Sequence, residues 1–370
     1  MMCASGCIEP YFPGLTGGSE LVYVVSGEVT DQEGFQNVDI SSTSPVGEPQ
    51  YIPVKGCEAT IEDDKGNTFR MEENEAGKYR TWMDRNSLMP GTSYRLLLVT
   101  PSGESIISDF DQMPVCPAID SVYCMRKEKL SRNSGITLTG LQFNVDFHGS
   151  DPDSQYYRWT VDETWEYHTP YPIENYYDGS MHEVYPHDYR YNVCWSSEPV
   201  KSIFTLSTIG LASNRFSVPL HFVDNTTNRL FVGYSVLITQ HALSAPAYVF
   251  WDQLRINSEQ EGGLYEKQPL PVQGNLRNIT NPGTKVLGFF GASSITQKRI
   301  FLDAVRDMGV TDGYMCAPHP LYAGGWMEFS PSDYPVYYKY FDFNLMILDN
   351  ICVDCRVFGG SLTKPDFWPR

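Results

Sequence analysis

Along most of this chain apolar and polar positions alternate with a period of two, the pattern of strands that bury one face. In Tyr23–Thr30 the residues Val25, Gly27 and Val29 share a face. Cys57-Glu58-Ala59-Thr60-Ile61-Glu62 alternates strictly, Asp63-Asp64-Lys65-Gly66-Asn67 supplies turn chemistry, and Thr68-Phe69-Arg70-Met71 reads as the returning strand. Pro90-Gly91 precedes a strand over Ser93–Thr100, and Pro101-Ser102-Gly103 precedes another over Glu104–Ser108. Strands this short, with a turn roughly every 8–12 residues, predict an immunoglobulin- or transthyretin-like β-sandwich over residues 21–117. Its predicted end is Met113-Pro114-Val115-Cys116-Pro117, where two prolines break any strand.

Residues 118–370 predict a larger β-rich domain, with alternation in Gln142–Phe147, Tyr156–Val161, Ser202–Thr208 and Leu230–Thr239. One short amphipathic helix is expected after Ser244, a good N-cap, with Pro246 tolerated in the first turn. Ala247, Phe250, Trp251 and Leu254 then form a single apolar stripe. Lys298–Met308 fits a strand and a helix equally. The expected architecture is therefore mainly β, a sandwich followed by a larger β domain that ends in a Cys-x-x-Cys tail. Residues 1–20, rich in Pro and Gly, read as the remnant of a lipoprotein signal and a tether. Ala4-Ser5-Gly6 followed by Cys7 is similar to the end of a bacterial lipoprotein signal, which makes Cys7 the candidate lipidated residue.

Charge narrows the partners. The chain has 45 Asp and Glu against 27 Lys and Arg, a formal net charge of −18 over 370 residues. A phosphate backbone needs clustered Lys and Arg to displace its counterions, so nucleic acid is excluded as a partner. No apolar run approaches the roughly 18 residues of a membrane helix, which predicts a soluble body.

Residues 151–191 are the compositional outlier, with nine Tyr, two Trp and nine acids against Arg158 and Arg190. Tyr171, Tyr176, Tyr177, Tyr185 and Tyr189, set among Pro, Asn, Asp and Gly, together with Trp165, are candidate ligand- or partner-binding residues. Their rings offer large contact area at low entropic cost. The competing reading is a pair of strands joined by a long decorated loop.

The cysteines form a second constellation. Cys316, His319, Cys352 and Cys355 match the donor set of a tetrahedral zinc site. In an oxidising compartment disulfides among Cys194, Cys316, Cys352 and Cys355 take precedence. No resident metal or cofactor is expected. Signatures of nucleophilic, phosphate-binding, dinucleotide-binding and zinc-protease sites are absent from the sequence. Asp109/Asp111 and Asp151/Asp153 read as loop acids rather than as a calcium loop.

The order of segments resembles the Bacteroidota lipoproteins grouped as domain of unknown function 4249. The residues that carry the resemblance include Val25-Ser26-Gly27-Glu28-Val29-Thr30-Asp31-Gln32, Gly91-Thr92-Ser93-Tyr94-Arg95-Leu96 and Pro117-Ala118-Ile119-Asp120-Ser121-Val122. Further along are Tyr156-Tyr157-Arg158-Trp159, Cys194-Trp195 and Tyr234–Gln240 running into Leu243-Ser244. Later come Val286–Ser293 and Lys298–Phe301, and the tail from Cys352 to Pro369 is the most specific piece. The resemblance covers about residues 7–370. It implies export, an acyl anchor on Cys7 and an outer-membrane location, more on the cell surface than facing the periplasm, often beside a TonB-dependent transporter. It supplies no catalytic residue and no ligand.

The expected function is thus a non-catalytic outer-membrane lipoprotein that captures a nutrient, glycan or peptide, or serves a TonB-dependent transporter. A structural or adhesive surface module is the alternative. An extracellular hydrolase ranks below both, since a carboxylate pair for glycoside hydrolysis is visible only in three dimensions.

Overall fold

The computed structural model describes residues 22–45, 49–131, 135–149, 154–259, 272–310, 316–322 and 324–369. Cys7, the tether, Asp151 and Asp153 lie outside the described residues. The protein is mainly β, as the alternation predicts, with one α-helix, Ala245–Glu259, among the described residues.

Two sheets form the N-terminal sandwich. The first runs in the order Val286–Ser293, Tyr23–Thr30, Gly34–Ser42, Lys78–Met83, Glu72–Glu75. The second runs Leu276–Asn278, Ser105–Ser108, Ser93–Val99, Glu58–Asp63, Thr68–Arg70. Val25, Val29, Val38, Ile40 and Tyr79 from the first sheet meet Ala59, Ile61, Tyr94, Leu96 and Ile106 from the second in one buried core. The predicted boundary at residue 117 therefore needs correction, because Leu276, Val286, Phe290 and Ala292 are part of this core. Tyr23–Thr30 pairs in parallel with Val286–Ser293, in the register Val25↔Gly288 and Gly27↔Phe290. A parallel pair requires a long crossover, here most of the second domain, so no local pattern could reveal it. Gly288 marks the close approach: it sits at φ 99°, and a Cβ there would lie 1.8 Å from the Val25 carbonyl oxygen.

Ser294 alone separates Val286–Ser293 from Ile295–Asp303, so one ribbon passes from the sandwich into the second domain. Lys298 and the residues to Asp303 are thus strand rather than helix. The second domain begins with a sheet of Ile119–Leu130, Thr137–His148 and Arg215–Asp224. It faces a central sheet ordered Val193–Pro199, Tyr156–His168, Gly233–Ala242, Ile295–Asp303. Phe143, Phe147, Tyr157, Trp159 and Tyr234 fill the space between them. The helix starts where Ser244 predicts, with the Ser244 hydroxyl accepting from Ala247 N at 3.2 Å. Its apolar stripe packs over the joint between the domains, where Phe250 stacks on Phe289 at 5.1 Å. No helix among the described residues is long and apolar enough to cross a membrane.

A third group of strands lies beyond the joint-remote end of the central sheet, in the order Met181–Asp188, Ile173–Tyr177, Val336–Phe341, Asn344–Leu348, His319–Pro320. Tyr338, Val336 and Ile347 pack on one of its faces, and Ile173, Leu348 and Cys352 on the other. Its hairpin turn is unusual. Asp342 and Phe343 sit at φ 46° and 69°, a turn that normally takes Asn-Gly, and the Phe343 side chain is fully exposed. The ring buries nothing that offsets the left-handed backbone. Phe343→Gly is therefore expected to stabilise the protein by about 1 kcal/mol in urea unfolding. An unchanged or lowered midpoint would count against a strained turn.

Candidate functional site

A groove of about 530 Å³ opens between Met181–Asp188 and Val336–Phe341, within the size range of small-ligand sites. Antiparallel pairing of Tyr176 with His182 and with Tyr337 brings the two chain segments together. The aromatic outlier seen in the sequence is accordingly strand, and its hairpin is one wall of this groove rather than an irregular loop.

Not all the candidate tyrosines share this fate. Tyr176 and Tyr185 line the groove. The Tyr176 face is covered by His182, stacked at 4.6 Å, and His182 is held by Asp178 at 2.8 Å. Tyr185 is 89% exposed, so its ring is open to a ligand. Tyr189 is also exposed but does not line the cavity. Tyr171 packs edge-on to Phe341 at 5.6 Å, and Tyr177 stacks on Trp326 at 4.3 Å, so both serve the two cores of this sheet. Trp165 must be withdrawn from any exposed surface. It is buried on the same strand face as Glu163, with the Arg229 guanidinium 4.9 Å above its ring. Arg229, His221 and the Tyr234 hydroxyl all bond the buried Glu163, at 2.5, 3.2 and 2.8 Å.

The groove's polar lining includes Asp188 and Arg190, both from the acidic stretch that stands out in the sequence. Asp188 takes both carboxylate oxygens to Arg190, at 2.7–3.0 Å, which holds its carboxyl below the usual range. Arg190 and Arg356 flank the Tyr191 ring at 5.5 and 4.0 Å. Glu183, exposed and without an ion-pair partner among the described residues, pairs with Asn175, which in turn pairs with Tyr338, so its side chain lies on the sheet face opposite Tyr176 and Tyr337. Pro335 and Tyr337 also line the cavity, from a segment 150 residues further along the chain that carried no local signal.

The cysteines behind this sheet are oxidised. Cys194 bonds Cys355 and Cys316 bonds Cys352, so the Cys-x-x-Cys pair does not close on itself. Sulfurs bonded to each other cannot be thiolate ligands, and the zinc set Cys316, His319, Cys352, Cys355 does not form. His319 instead stacks on Tyr322 at 5.5 Å.

A second polar cluster sits at the joint. Glu28 accepts from Arg158 at 2.7 Å and from the Ser293 hydroxyl at 2.6 Å, with His241 Nδ1 at 3.3 Å. Arg158 also lies 4.2 Å over the face of Trp251. Burial alone would raise the Glu28 pKa, yet the attraction of Arg158 and His241 holds it far below the usual carboxylate range. Burial pushes the His241 pKa down. Ser, His and Glu lie together here, but Ser293 is fully buried and donates its only proton to Glu28. It cannot also donate to His241, as a nucleophile activated by a histidine base must. The cluster fastens the two domains.

Asp111, expected as a solvated loop acid, is buried beside it and accepts from Ser244 at 2.5 Å and Ala292 N at 2.8 Å. Burial, with a smaller push from Glu28, raises its pKa to about 6. Because this value exceeds the unfolded one, folding takes up a proton as pH falls, and the contribution grows on acidification from pH 7. The stability of the wild type relative to Asp111→Asn should therefore increase by about 1 kcal/mol between pH 7 and pH 5. The opposing contribution of His241 is present in both proteins and cancels. Urea unfolding at the two pH values checks this, and a constant gap would contradict it. Asp109, by contrast, is exposed and paired with Arg277.

Comparison with known proteins now adds one decisive observation: the profile of the family named domain of unknown function 4249 matches residues 8–299. The chain belongs to this family. The 4249 match ends before Cys316, so the tail expected to be the most specific part of the resemblance lies outside it. The groove thus takes one wall from the matched region and the other from beyond it. No curated protein matches the chain. A solved structure titled "Biofilm associated protein - BSP domain" aligns at 6% identity over 79% of this 4249-family chain, with a TM-score of 0.15. The aligned part spans 61% of that structure's length, and so low a score carries no argument about fold.

Proposed function

We propose that the protein is a non-catalytic lipoprotein of the outer membrane, acylated at Cys7, that captures a ligand in the Tyr185 groove as an accessory to a TonB-dependent nutrient transporter. The groove is the observation that carries this reading. It combines an open aromatic ring, the Asp188–Arg190 pair and a volume of about 530 Å³. Its position suits display. Strand Tyr156–His168 leaves the joint at Tyr156 and reaches the groove sheet at its far end, about 40 Å away at the usual rise per residue. Val22 precedes a strand whose later residues, Glu28 to Thr30, lie at that same joint. A tether entering at Val22 would hold the groove on the far side of both domains, facing outward from the cell. The two disulfides suit an oxidising compartment outside the cytosol.

The test is palmitate labelling and membrane fractionation in the native host, followed by affinity capture from solubilised outer membrane. Wild type should carry label and bring down a transporter barrel, and Cys7→Ala should lose both label and membrane association. An unlabelled wild-type protein would remove the anchor, and a soluble location would remove the proposal.

A further inference from the structure

We propose that copies of this chain associate head to tail. The basic end of the hairpin formed by Ile119–Leu130 and Thr137–His148 on one copy docks on the acidic, apolar face of the third sheet on the next. That face lies opposite the groove, so the joint between copies leaves ligand capture open.

Charge is segregated across the third sheet. Its groove side carries Lys339, Arg190 and Arg356, paired with Glu174, Asp188 and Asp354 respectively. The opposite side holds Val336 and Tyr338, covered in part by Trp326 and Phe329. Glu183 lies on this side, Glu328 and Asp333 stand on the segment that packs over it, and Asp342 is in the turn at its end. All four acids are exposed, and none has an ion-pair partner among the described residues.

The same side exposes apolar surface. Phe343 and Met327 are the two most exposed large apolar side chains among the described residues, and Tyr322 and Tyr340 are exposed with them. Tyr340 neighbours Tyr338 at 5.9 Å, and Trp326, next to Met327 in the chain, lies 5.3 Å from Tyr338. Tyr322 begins the turn that leads to Trp326. Phe343 buries nothing and sits in left-handed backbone, a strain that packing does not offset. Aromatic and Met side chains beside unpaired acids make a surface for a partner of opposite charge.

The chain itself carries a match for that surface. Met125 to Leu130 hold Arg126, Lys127 and Lys129 against Glu128, in a chain of net charge −18. Met125, Leu130 and Ile136 are exposed beside them. The third strand of this sheet ends where Gly140 meets Asp224. The pairs Glu128↔Thr139, Lys129↔Leu138 and Leu130↔Thr137 therefore extend beyond it as a two-stranded arm. Arg126 approaches Asp307 only to 4.0 Å, and Lys127 has no ion-pair partner among the described residues. Lysines on an open edge keep like edges apart, yet they attract a surface of opposite charge. Two acidic faces repel each other, so the contact is arm to face and repeats along a row of copies. The net charge of −18 opposes association at long range, and at about 0.1 M salt a screening length of about 10 Å removes most of that repulsion.

The experiment is sedimentation velocity of the whole chain over a range of concentrations, at about 0.1 M and about 1 M salt. Wild type should self-associate with a Kd of about 100 µM or tighter, and more weakly at the higher salt. Lys127→Glu with Lys129→Glu should lose association, as should Glu183→Lys with Glu328→Lys. Mixing these two double variants should restore it, because every arm then meets a face of opposite charge. Phe343→Gly should weaken association about tenfold while raising the urea midpoint, which separates loss of contact from loss of fold. A wild type that stays monomeric at about 500 µM, association that survives either charge reversal, or a mixture that stays monomeric overturns the proposal. If a monomeric wild type binds oligolysine and Glu183→Lys with Glu328→Lys abolishes that binding, the face belongs to a foreign basic partner and self-association is overturned.

Discussion

Replacing Cys194 and Cys355 together by alanine should lower the unfolding free energy by about 5 kcal/mol. The two residues are 161 apart in sequence, so their bond denies the unfolded chain a very large loop. Loop-closure entropy rises only logarithmically with length and gives about 5 kcal/mol for such a loop. The corresponding Cys316→Ala, Cys352→Ala pair spans a separation of 36 and should cost about 4 kcal/mol. The first bond also acts locally. Cys194 sits on Val193–Pro199, which pairs with Tyr156–His168, and Cys355 lies in the tail. The bond therefore pins the tail, and with it the wall of the groove, to the central sheet. The Tyr167 hydroxyl donating to the Cys355 carbonyl at 2.9 Å supports the same attachment. Guanidinium unfolding of the two double variants, beside the wild type with and without reductant, measures both values. A loss under about 1 kcal/mol for the Cys194–Cys355 bond, or a larger loss for the shorter loop, would contradict the loop-entropy account.

The parts of this fold that were legible in the sequence are those governed by contacts close in the chain. Strand Tyr23–Thr30 has the predicted bounds, because alternation fixes one buried face at Val25 and Val29. The turn at Asp63–Asn67 and the start of the helix at Ser244 were equally readable, since side-chain capping and turn chemistry act over three or four residues. The four cysteines that form bonds were those expected, although their pairing was not deducible from spacing.

What could not be read depends on distant partners. The sandwich's strand Val286–Ser293 looks like any apolar run until Tyr23–Thr30 is beside it in space. For Trp165 the error was local. A Trp in an acidic, Tyr-rich stretch resembles an exposed ring, yet its neighbour two positions back, Glu163, is itself buried with Arg229, His221 and Tyr234 around it. An acid two residues from a buried Trp on one strand face is a cue to an internal ion network. Composition alone points the other way. The groove was half legible: Tyr176 and Tyr185 came from the outlier segment, while Tyr337 and Pro335 needed the register of the third sheet.

The joint makes the most demanding prediction. Arg158→Met should destabilise the protein by about 3–5 kcal/mol, the cost of leaving a desolvated carboxylate without its partner. Glu28→Gln should cost less. It leaves Arg158 over the Trp251 face, and the neutral amide can still accept from Ser293. The Glu28 side chain is about 25% exposed, so some screening by water places the Arg158→Met value nearer the lower end of that range. The double variant should be more stable than the sum of the singles implies, because removing both charges leaves no uncompensated group. Added salt should recover little, since this pair is mostly shielded from solvent. Guanidinium unfolding of the four proteins in a cycle decides the matter. Additive losses would mean that Glu28 and Arg158 act independently. A coupling that survives high salt would mean that one ion pair, with His241 and Ser293 completing it, fastens the strand Tyr23–Thr30 to the sheet that carries the groove.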